Sequence, residues 1–373
     1  MNDFIHIVCL ASPSPPDYGG AIDMYYKIIS LHGIGKKIIL HYFDYKHKTN
    51  IADLEKYCHR IYAYKREKSL KSFSLKTPFI IKSRINKLLI NKLNEDEFPV
   101  ILEGLHCTGI IPYLNKEQRV IIRMHNNEPE YYKNLSFTEK NIFKRSYLKI
   151  ESILLDKYQK KLSKNITLAC ISKTDVEIFK DDYHFKNVYF IPCFIPWQSI
   201  KSKEEKGNYV LYHGNMSISE NESAAIWLIK SLDSKPEIPI TIAGKEISGI
   251  LLKLASKYQH VRLINNPSSD ELDKLIQNAE INILPSLNNT GVKLKLLHAL
   301  IEGRFCITNY KGMLGTAINI DVPVSIANTS EQCIEKIHQL FNEEFSKKEI
   351  AGRQNIFSVY NNAKNALKLN ELL

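Results

Sequence analysis

The sequence has few of the features that mark secreted, metal-stapled or membrane-spanning proteins. Its seven cysteines are scattered, none at CxxC spacing, and their number is odd, which argues against a disulfide framework and against a structural zinc site. No apolar run reaches the ~20 residues that a spanning helix needs. The first residues, "MNDFIHIVCLASPSPP", place an acid and no base before a short apolar run, which indicates a first strand rather than a signal peptide. A reducing cytoplasm is the expected location.

Acidic residues are also in short supply. The chain has 40 of them against 51 lysines and arginines, which gives a formal net charge of +11. This balance predicts an anionic partner, whether nucleic acid, a membrane surface or a phosphorylated small molecule, and does not choose among them. No segment resembles an RRM, KH or helix-turn-helix signature, so we do not expect nucleic acid.

The length and the pattern of apolar residues predict two α/β domains. At 373 residues the chain suits two domains of ~150–200 residues. Strand-like runs alternate with helical ones, a pattern typical of parallel sheets covered by helices. The pattern restarts after a polar, charged linker at 194–207. We therefore predict an α/β fold of two doubly wound, Rossmann-like domains, 1–195 and 196–344, facing each other across a cleft, with a C-terminal helix, 345–373, that packs back on the first domain.

The stretch "NNTGVKLKLLHALIEG" (288–303) has an unusual polar stripe on an apolar helix. The pattern predicts a helix that begins at Thr290 and Gly291 and ends at Gly303. The backbone N–H groups of Gly291, Val292 and Lys293 would then point out of its positive end, where a phosphate would bind. Lys295, His298 and Glu302 fall within a sector of about 60°. The alternative, an exposed edge of a surface helix, stays open from this segment alone.

A longer run, "TGVKLKLLHALIEGRFCITN", resembles the signature of family 4-type glycosyltransferases with the GT-B fold. Four other segments, 190–195, 213–229, 242–247 and 265–286, resemble parts of that family in the same order. His298 stands where the family has a glutamate that accepts bonds from both ribose hydroxyls, whereas a neutral imidazole accepts one and donates one. An arginine that the family places after the glycine equivalent to Gly214 is absent, and Lys293 and Lys295 are our candidates to replace it. The resemblance implies a donor site made of Gly214, Lys245, Thr290, Gly291, Val292, Lys293, Lys295 and His298.

The first domain is expected to hold the acceptor. Glycines between the first strand and the first helix allow close approach of a sugar or phosphate. His125 follows a strand where family members carry a histidine near the donor sugar, and is our candidate catalytic residue. The predicted acceptor-binding residues are Gly19, Gly20, Glu103, His106, Arg123, Asn126 and Glu128. A plain turn, a core histidine and a polar loop are the structural alternatives for these positions.

The resemblance implies a retaining glycosyltransferase that needs no metal and no cofactor. It would move a sugar from a nucleoside diphosphate sugar to a saccharide or lipid-linked saccharide, in glycan or polysaccharide biosynthesis. The helix end at Gly291 and the nearby lysines would stabilise the departing diphosphate. Two alternatives stay open: a GT-B relative with different chemistry, such as a nucleotide-sugar epimerase, and a non-catalytic binding protein.

The segment 65–92 is rich in basic residues, with nine against one acid. Apolar residues alternate with them, and a basic amphipathic segment of this kind suits an anionic membrane surface. We therefore predict peripheral binding to the inner face of a membrane through this segment, including Lys82, Arg84 and Lys87. An ordinary solvated helix face is the alternative.

Overall fold

A computed structural model describes residues 3–44, 50–67, 74–318 and 322–373. Its strands form two parallel sheets, one of seven and one of six strands. The first sheet contains β1 (Phe4–Cys9), β2 (Lys37–Asp44), β3 (Cys58–Lys65), β4 (Val100–Glu103), β5 (Val120–Met124), β6 (Thr167–Cys170) and β7 (Asn187–Phe190). The second contains β8 (Val210–Asn215), β9 (Ile240–Lys245), β10 (Val261–Asn265), β11 (Ile281–Ile283), β12 (Phe305–Thr308) and β13 (Ser325–Ile326).

Helices cover both faces of each sheet. Those of the first half of the chain are α1 (Gly19–Gly33), α2 (Ile51–Glu55), α3 (Phe79–Lys82), α4 (Lys87–Leu93), α5 (Glu128–Thr138), α6 (Ile142–Lys161) and α7 (Lys173–Asp181), with a 3-10 helix at Leu105–Tyr113. Those of the second half are α8 (Ser219–Ser231), α9 (Gly249–Ala255), α10 (Ser269–Asn278), α11 (Leu294–Glu302), α12 (Tyr310–Met313), α13 (Ser330–Phe341), α14 (Lys347–Arg353), α15 (Ile356–Val359) and α16 (Asn362–Asn370).

The strand order shows why the two sheets are built alike. The first sheet runs β3-β2-β1-β4-β5-β6-β7 and the second β10-β9-β8-β11-β12-β13. In each, the order reverses once, between β1 and β4 and between β8 and β11, which leaves a crevice at the carboxyl ends of the strands. Central strands such as β4 and β11 are wholly buried because helices exclude water from both faces. The predicted pair of doubly wound α/β domains is confirmed.

The last helix returns to the first sheet. Ala366 and Leu369 of α16 lie in the same buried cluster as β1, β2 and α1. The Asn362 side chain accepts from the N–H of Ile195 at 3.0 Å and donates to its carbonyl at 2.8 Å. The chain therefore crosses between the halves twice, once at 191–209 and once before α16. The exact division at residue 195 stays a prediction.

Two helices, α5 and α6, lie between β5 and β6. α5 ends at Thr138 and α6 begins at Ile142, because Glu139 and Asn141 are extended. The Asn141 side chain accepts from the N–H of Lys144 at 3.1 Å and so caps α6.

The expected membrane-facing surface of the segment 65–92 is only partly exposed in its described part. Ile80, Ile81 and Leu89 are buried in the first domain. Arg84 is buried as well, and its guanidinium donates to the carbonyls of Leu10 and Ile80. Leu75 and Leu88, however, are 87% and 69% exposed, and residues 68–73 lie outside the described part of the chain, so membrane binding through this segment stays a prediction. In that part, no helix combines the length and the apolar character needed to cross a membrane.

A buried ion pair ties the first sheet to the start of the crossing segment. Arg123 of β5 donates to Asp23 of α1 through two nitrogens, at 3.1 and 2.9 Å. Arg123 also donates to the carbonyls of Ile191 and Pro192, and Asp23 accepts from the N–H of Phe194 at 2.8 Å. Burial opposes ionisation of Asp23, but Arg123 and Lys27 outweigh it and hold its pKa below the usual value. The ion pair thus connects α1, β5 and the segment that leaves the first domain.

Arg123→Met should destabilise the first domain by about 3–5 kcal/mol, because it leaves Asp23 charged, buried and without its main partner. Urea unfolding followed by circular dichroism measures the effect. The matched control is Arg119→Met, at an exposed residue immediately before β5. This substitution should cost less than ~0.5 kcal/mol. Equal effects of the two substitutions would contradict this role for the pair.

Candidate functional site

The carboxyl ends of the two sheets face each other and are in direct contact. Lys245, at the end of β9, pairs with Asp17 of the first domain at 2.8 Å. Asn134 of α5 donates to the side chains of Asn288 and Asn289, at 3.2 and 2.8 Å. Further along the same edge, the hydroxyls of Thr138 and Ser219 lie 3.0 Å apart. The loop before α11 is thus packed against the first domain.

Gly291 lies at the closest approach of the two domains. Its φ is +64°, a left-handed conformation that side chains other than glycine rarely adopt. A Cβ added there would lie 2.2 Å from Asn126 Oδ1 and 3.1 Å from the carbonyl oxygen of His125. On the other side, a Cβ at Gly315 would lie 2.2 Å from the Gly291 carbonyl oxygen. Glycine is therefore needed at position 291 for a steric reason, since any side chain there would overlap the first domain.

The helix predicted to begin at Thr290 begins later. α11 starts at Leu294 with Lys293 as its N-cap, because the left-handed Gly291 breaks the helical path before it. Thr290 is buried, and both its N–H and its hydroxyl donate to Asn288 Oδ1 at 2.9 Å. The N–H groups of the helical turn therefore belong to 294 and its successors, and not to Gly291 and Val292 as expected.

Two half-buried lysines lie at this end of α11. Lys293 donates to the carbonyl of Thr290, and Lys295 donates to the Asn221 side chain at 3.1 Å and lies over the Tyr212 ring. Burial lowers the pKa of each lysine to about 8, with Glu220 acting against it. No carboxylate in the described part of the chain forms an ion pair with either ammonium group. An anion at this end of α11 would therefore meet two ammonium groups that no carboxylate of the described residues pairs directly.

Glu220 was not found from the sequence, although it shapes this loop. Its Oε1 accepts from the N–H groups of Leu287 and Asn288, at 3.0 and 2.9 Å, and from the Ser286 hydroxyl at 2.8 Å. The carboxylate of α8 thereby holds the turn that leads to Gly291. An acid in the first turn of a helix is an ordinary sequence feature, which is why it gave no functional signal.

His298 is held by neighbours from two other segments. Its Nε2 lies 2.8 Å from Asp273 Oδ1 of α10, and its ring stacks on Trp197 of the crossing segment with centroids 4.7 Å apart. The His213 ring meets it edge-on at 5.9 Å. The His298 bond lowers the pKa of Asp273. The imidazole thus has a carboxylate partner of its own at the position where the resemblance predicts a ribose-binding glutamate.

His125 lies in a buried polar cluster beneath the cleft. Its Nε2 is 2.8 Å from Glu103 Oε2, and its Nδ1 is 3.9 Å from Asp23. Glu103 also accepts from Lys27, which is fully buried. Burial opposes ionisation of Glu103, but Lys27 and His125 outweigh it and lower its pKa. The side chain of His125 faces the domain interior, while its carbonyl faces Gly291.

Two predicted acceptor-binding residues do not fit that role. Arg123 and Glu103 are both fully buried, and their polar atoms are engaged by the partners described above. The expectation that they contact acceptor hydroxyls is corrected accordingly, because no acceptor could reach them without breaking the domain core. Both instead support the position of His125.

Asp23, Glu103 and His125 also bring ligand-type atoms within 4.8 Å of one another. A cation there would meet two carboxylates that Arg123 and Lys27 already neutralise. The cluster therefore lacks the excess negative charge that attracts a divalent ion, and its residues do not fit a metal site.

A second acidic pair lies on the first domain's side of the cleft. Glu128 opens α5, and Asp175, which the sequence did not single out, lies in the first turn of α7. Both are buried, and burial raises the pKa of each to about 7. Asp175 Oδ2 has no hydrogen-bond partner among the described residues, and the charge of Lys293 acts on Asp175 across the cleft. His106 Nδ1 lies 4.0 Å from Glu128, and burial keeps its pKa well below normal.

The predicted glycines occupy the rim of the same cleft. Gly19 and Gly20 form the first turn of α1 rather than a separate loop, and a Cβ at Gly19 would contact Leu294 at 3.6 Å. Gly214, near the end of β8, brings its carbonyl so close to Gly244 that a Cβ there would overlap it. The structure thus brings together Gly19, Asn126, Glu128, Gly291, Lys293 and Lys295, and leaves His298 farther down α11.

Comparison with known proteins agrees with this arrangement. The family described as Glycosyl transferases group 1 matches residues 207–343. A Klebsiella pneumoniae protein, described as an uncharacterized 44.6 kDa protein in the cps region, is 31% identical over 347 residues, which is 87% of each chain. The chain belongs to the group 1 glycosyltransferases.

Solved structures share the fold of this glycosyltransferase over its whole length. TarM of S. aureus aligns with a TM-score of 0.71 at 11% identity, covering 99% of this chain and 98% of that one. Sucrose-phosphate synthase from Thermosynechococcus elongatus aligns at 0.71 and 10%, covering 100% and 98%. Anabaena HepE, solved with UDP and glucose, aligns at 0.67 and 10%, covering 98% of both chains. The GT-B fold is confirmed.

Gly291→Ala should prevent the two domains from closing on each other, because its Cβ overlaps Asn126 and crowds the His125 carbonyl. The left-handed backbone adds a cost of about 1–2 kcal/mol. Small-angle X-ray scattering should show a larger radius of gyration than for the parent protein. Gly249→Ala is the control, since no atom lies within 4 Å of its added Cβ. An unchanged radius for Gly291→Ala would show that the contact does not govern closure.

Asp175→Asn should raise stability above pH 7. The folded pKa of about 7 exceeds the unfolded value of about 3.9, so the folded state binds the proton more tightly, and stability falls as pH rises from ~4 to ~7. Asparagine removes that fall, and we expect a gain of about 1–3 kcal/mol at pH 8 and none at pH 4. Thermal unfolding across this pH range measures it, with Asp181→Asn on the exposed side of α7 as control. A gain that does not depend on pH would contradict the assignment.

Proposed function

We propose that this glycosyltransferase transfers a sugar from a nucleoside diphosphate sugar to a saccharide or lipid-linked saccharide in polysaccharide biosynthesis. The observation that carries the proposal is the pair of half-buried ammonium groups, Lys293 and Lys295, at the start of α11 and next to the closest contact of the domains. A diphosphate would supply the negative charge that these lysines lack. The relative from a cps region and the UDP bound to HepE support the donor and the pathway class.

The residues at the cleft suit stabilisation of a departing diphosphate. As the bond between the anomeric carbon and the phosphate oxygen breaks, charge builds on the diphosphate, and both lysines and the N-terminal turn of α11 lie where they oppose it. In the retaining route that we propose, the acceptor oxygen attacks the anomeric carbon on the face that the diphosphate leaves, and its proton passes to the departing phosphate oxygen. We propose that this needs no metal and no other cofactor, because the lysines provide the positive charge.

In this proposal, His125 acts by holding its backbone in position at the cleft. Glu103 and Asp23 fix its ring inside the first domain, so its backbone carbonyl is held beside Gly291. Asn126, Glu128 and Asp175 line the adjoining wall of the cleft and are proposed to bind acceptor hydroxyls. A carboxyl with a pKa near 7 can accept or donate a hydrogen bond at neutral pH. The cytoplasm, with peripheral attachment to the inner face of a membrane, is the proposed location.

A panel of UDP-, GDP- and dTDP-sugars tests the proposal, first by thermal shift and then by donor hydrolysis. We expect one nucleotide class to raise the melting temperature and one donor to be turned over. No stabilisation by any nucleotide would overturn the transferase and leave a non-catalytic binding protein. Release of an isomerised sugar nucleotide in place of free nucleotide would indicate epimerase-type chemistry.

Lys295→Met should weaken binding of the stabilising nucleoside diphosphate by about 10–100-fold, because it removes one charge-assisted bond from a buried site. For the parent protein, the lysine pKa values near 8 imply that affinity is highest below pH 8 and falls as pH rises and the ammonium groups lose their protons. Calorimetry at pH 7 and 9 measures both effects. Lys253→Met, on the exposed side of α9, is the control. Equal affinity at pH 7 and pH 9 would show that the two lysines do not bind the phosphate groups of the nucleotide.

A further inference from the structure

One face of α6 is exposed, apolar and basic. The exposed fraction of the side chain is 88% for Phe143 and 73% for Ile142, and Ile150 and Ile153 are more than half exposed. At ~100° per residue these four side chains share one sector of about 120° with Lys149 and Lys157. The opposite face, with Leu148 and Leu155, is buried against the domain. Phe137, at the end of α5 and 66% exposed, lies across a three-residue connection from Ile142 and extends the same face.

The positive charge of this face is not neutralised by the protein. Lys149, Lys157 and Lys161 are exposed and form no ion pair within the described part of the chain. The acids near them are engaged: Asp156 pairs with Lys160 at 2.7 Å and accepts from Tyr183, and Glu151 is buried and accepts from the N–H of Ile80. The helix is 20 residues long, or ~30 Å, with the exposed apolar residues and Lys149 in its first 12 residues and Lys157 and Lys161 near its end.

The face also lies at the mouth of the cleft. Thr138, beside Phe137, contacts Ser219 of the second domain, and Lys140, two residues before Ile142, pairs with Glu222 at 3.1 Å. A surface held against this face would therefore meet the protein next to the place where donor and acceptor are proposed to bind.

We propose that this face, formed by Phe137, Ile142, Phe143, Ile150, Ile153, Lys149, Lys157 and Lys161, docks on an anionic lipid bilayer. Exposed aromatic and aliphatic side chains enter the interface between headgroups and acyl chains, and lysines beside them are attracted to anionic headgroups. A second copy of this chain fits less well, because docking through the same face would bring two sets of lysines together without acidic partners. The inference rests on the proposed function, because docking through this face would serve to present a lipid-linked acceptor to the cleft.

Vesicle cosedimentation of the full chain tests the proposal. The protein should bind vesicles of phosphatidylglycerol and phosphatidylcholine, bind pure phosphatidylcholine far less, and lose binding as salt rises. The pair Ile142→Ser and Phe143→Ser should reduce partitioning about tenfold, as should the triple change of Lys149, Lys157 and Lys161 to glutamine. The matched control is Ile250→Ser with Leu252→Ser, two exposed apolar residues of α9 on the second domain, which should bind as the parent does.

Three results would overturn the proposal. They are no vesicle binding by the parent protein, equal binding by the face variants and the α9 control, and dissociation of a dimer by the face variants in sedimentation velocity without any vesicle binding. Nucleotide thermal shift on the same variants keeps this test separate from the proposed function. Loss of vesicle binding with an unchanged nucleotide response supports the face, and a parent that binds vesicles through this face but responds to no nucleotide refutes the transferase alone.

Discussion

The ion pair between Asp23 and Arg123 is the interaction on which the arrangement of this protein depends. Removing two charges from water is costly, and the pair is stable only because each partner also bonds the backbone of the segment that leaves the first domain. Those bonds fix where the chain begins its crossing to the second sheet. The same helix carries Lys27, which holds Glu103, and Glu103 in turn holds His125. Glu103, Arg123 and His125, to which the sequence analysis assigned roles in catalysis or acceptor binding, therefore serve first to fix the geometry of the cleft.

The cleft itself is asymmetric in charge. The second domain offers Lys293 and Lys295, whose burial disfavours their charged forms, and the first domain offers Glu128 and Asp175, whose burial disfavours theirs. Groups of opposite sign thus line opposite walls, each with its pKa moved toward neutrality. An anionic donor fits the lysine wall, and a neutral hydroxyl-rich acceptor fits the other, since a carboxyl can bond hydroxyl groups in either protonation state.

Much of the fold could be predicted from the sequence because a parallel sheet leaves a strong local trace. Strands buried on both faces appear as short apolar runs, and the helices between them repeat every 3.6 residues. The predicted start of α11 at Thr290 is four residues early, because nothing local shows that Gly291 would adopt a left-handed conformation under contact from Asn126 and His125. Arg123 was misassigned for a similar reason: its partner Asp23 is 100 residues away.

The sequence by itself determined the two α/β halves, the group of lysines and glycine around the start of α11, and the family to which these segments point. These features depend on local periodicity and on residues close together in the chain. Only the tertiary structure decided which polar residues face the cleft and which are buried in the core with their polar atoms paired. It also turned Ile80, Ile81 and Leu89 of the segment 65–92 inward and left Ile142 and Phe143 of α6 outside. The physical reason is that burial and ion pairing are set by partners from distant segments, which no local pattern records.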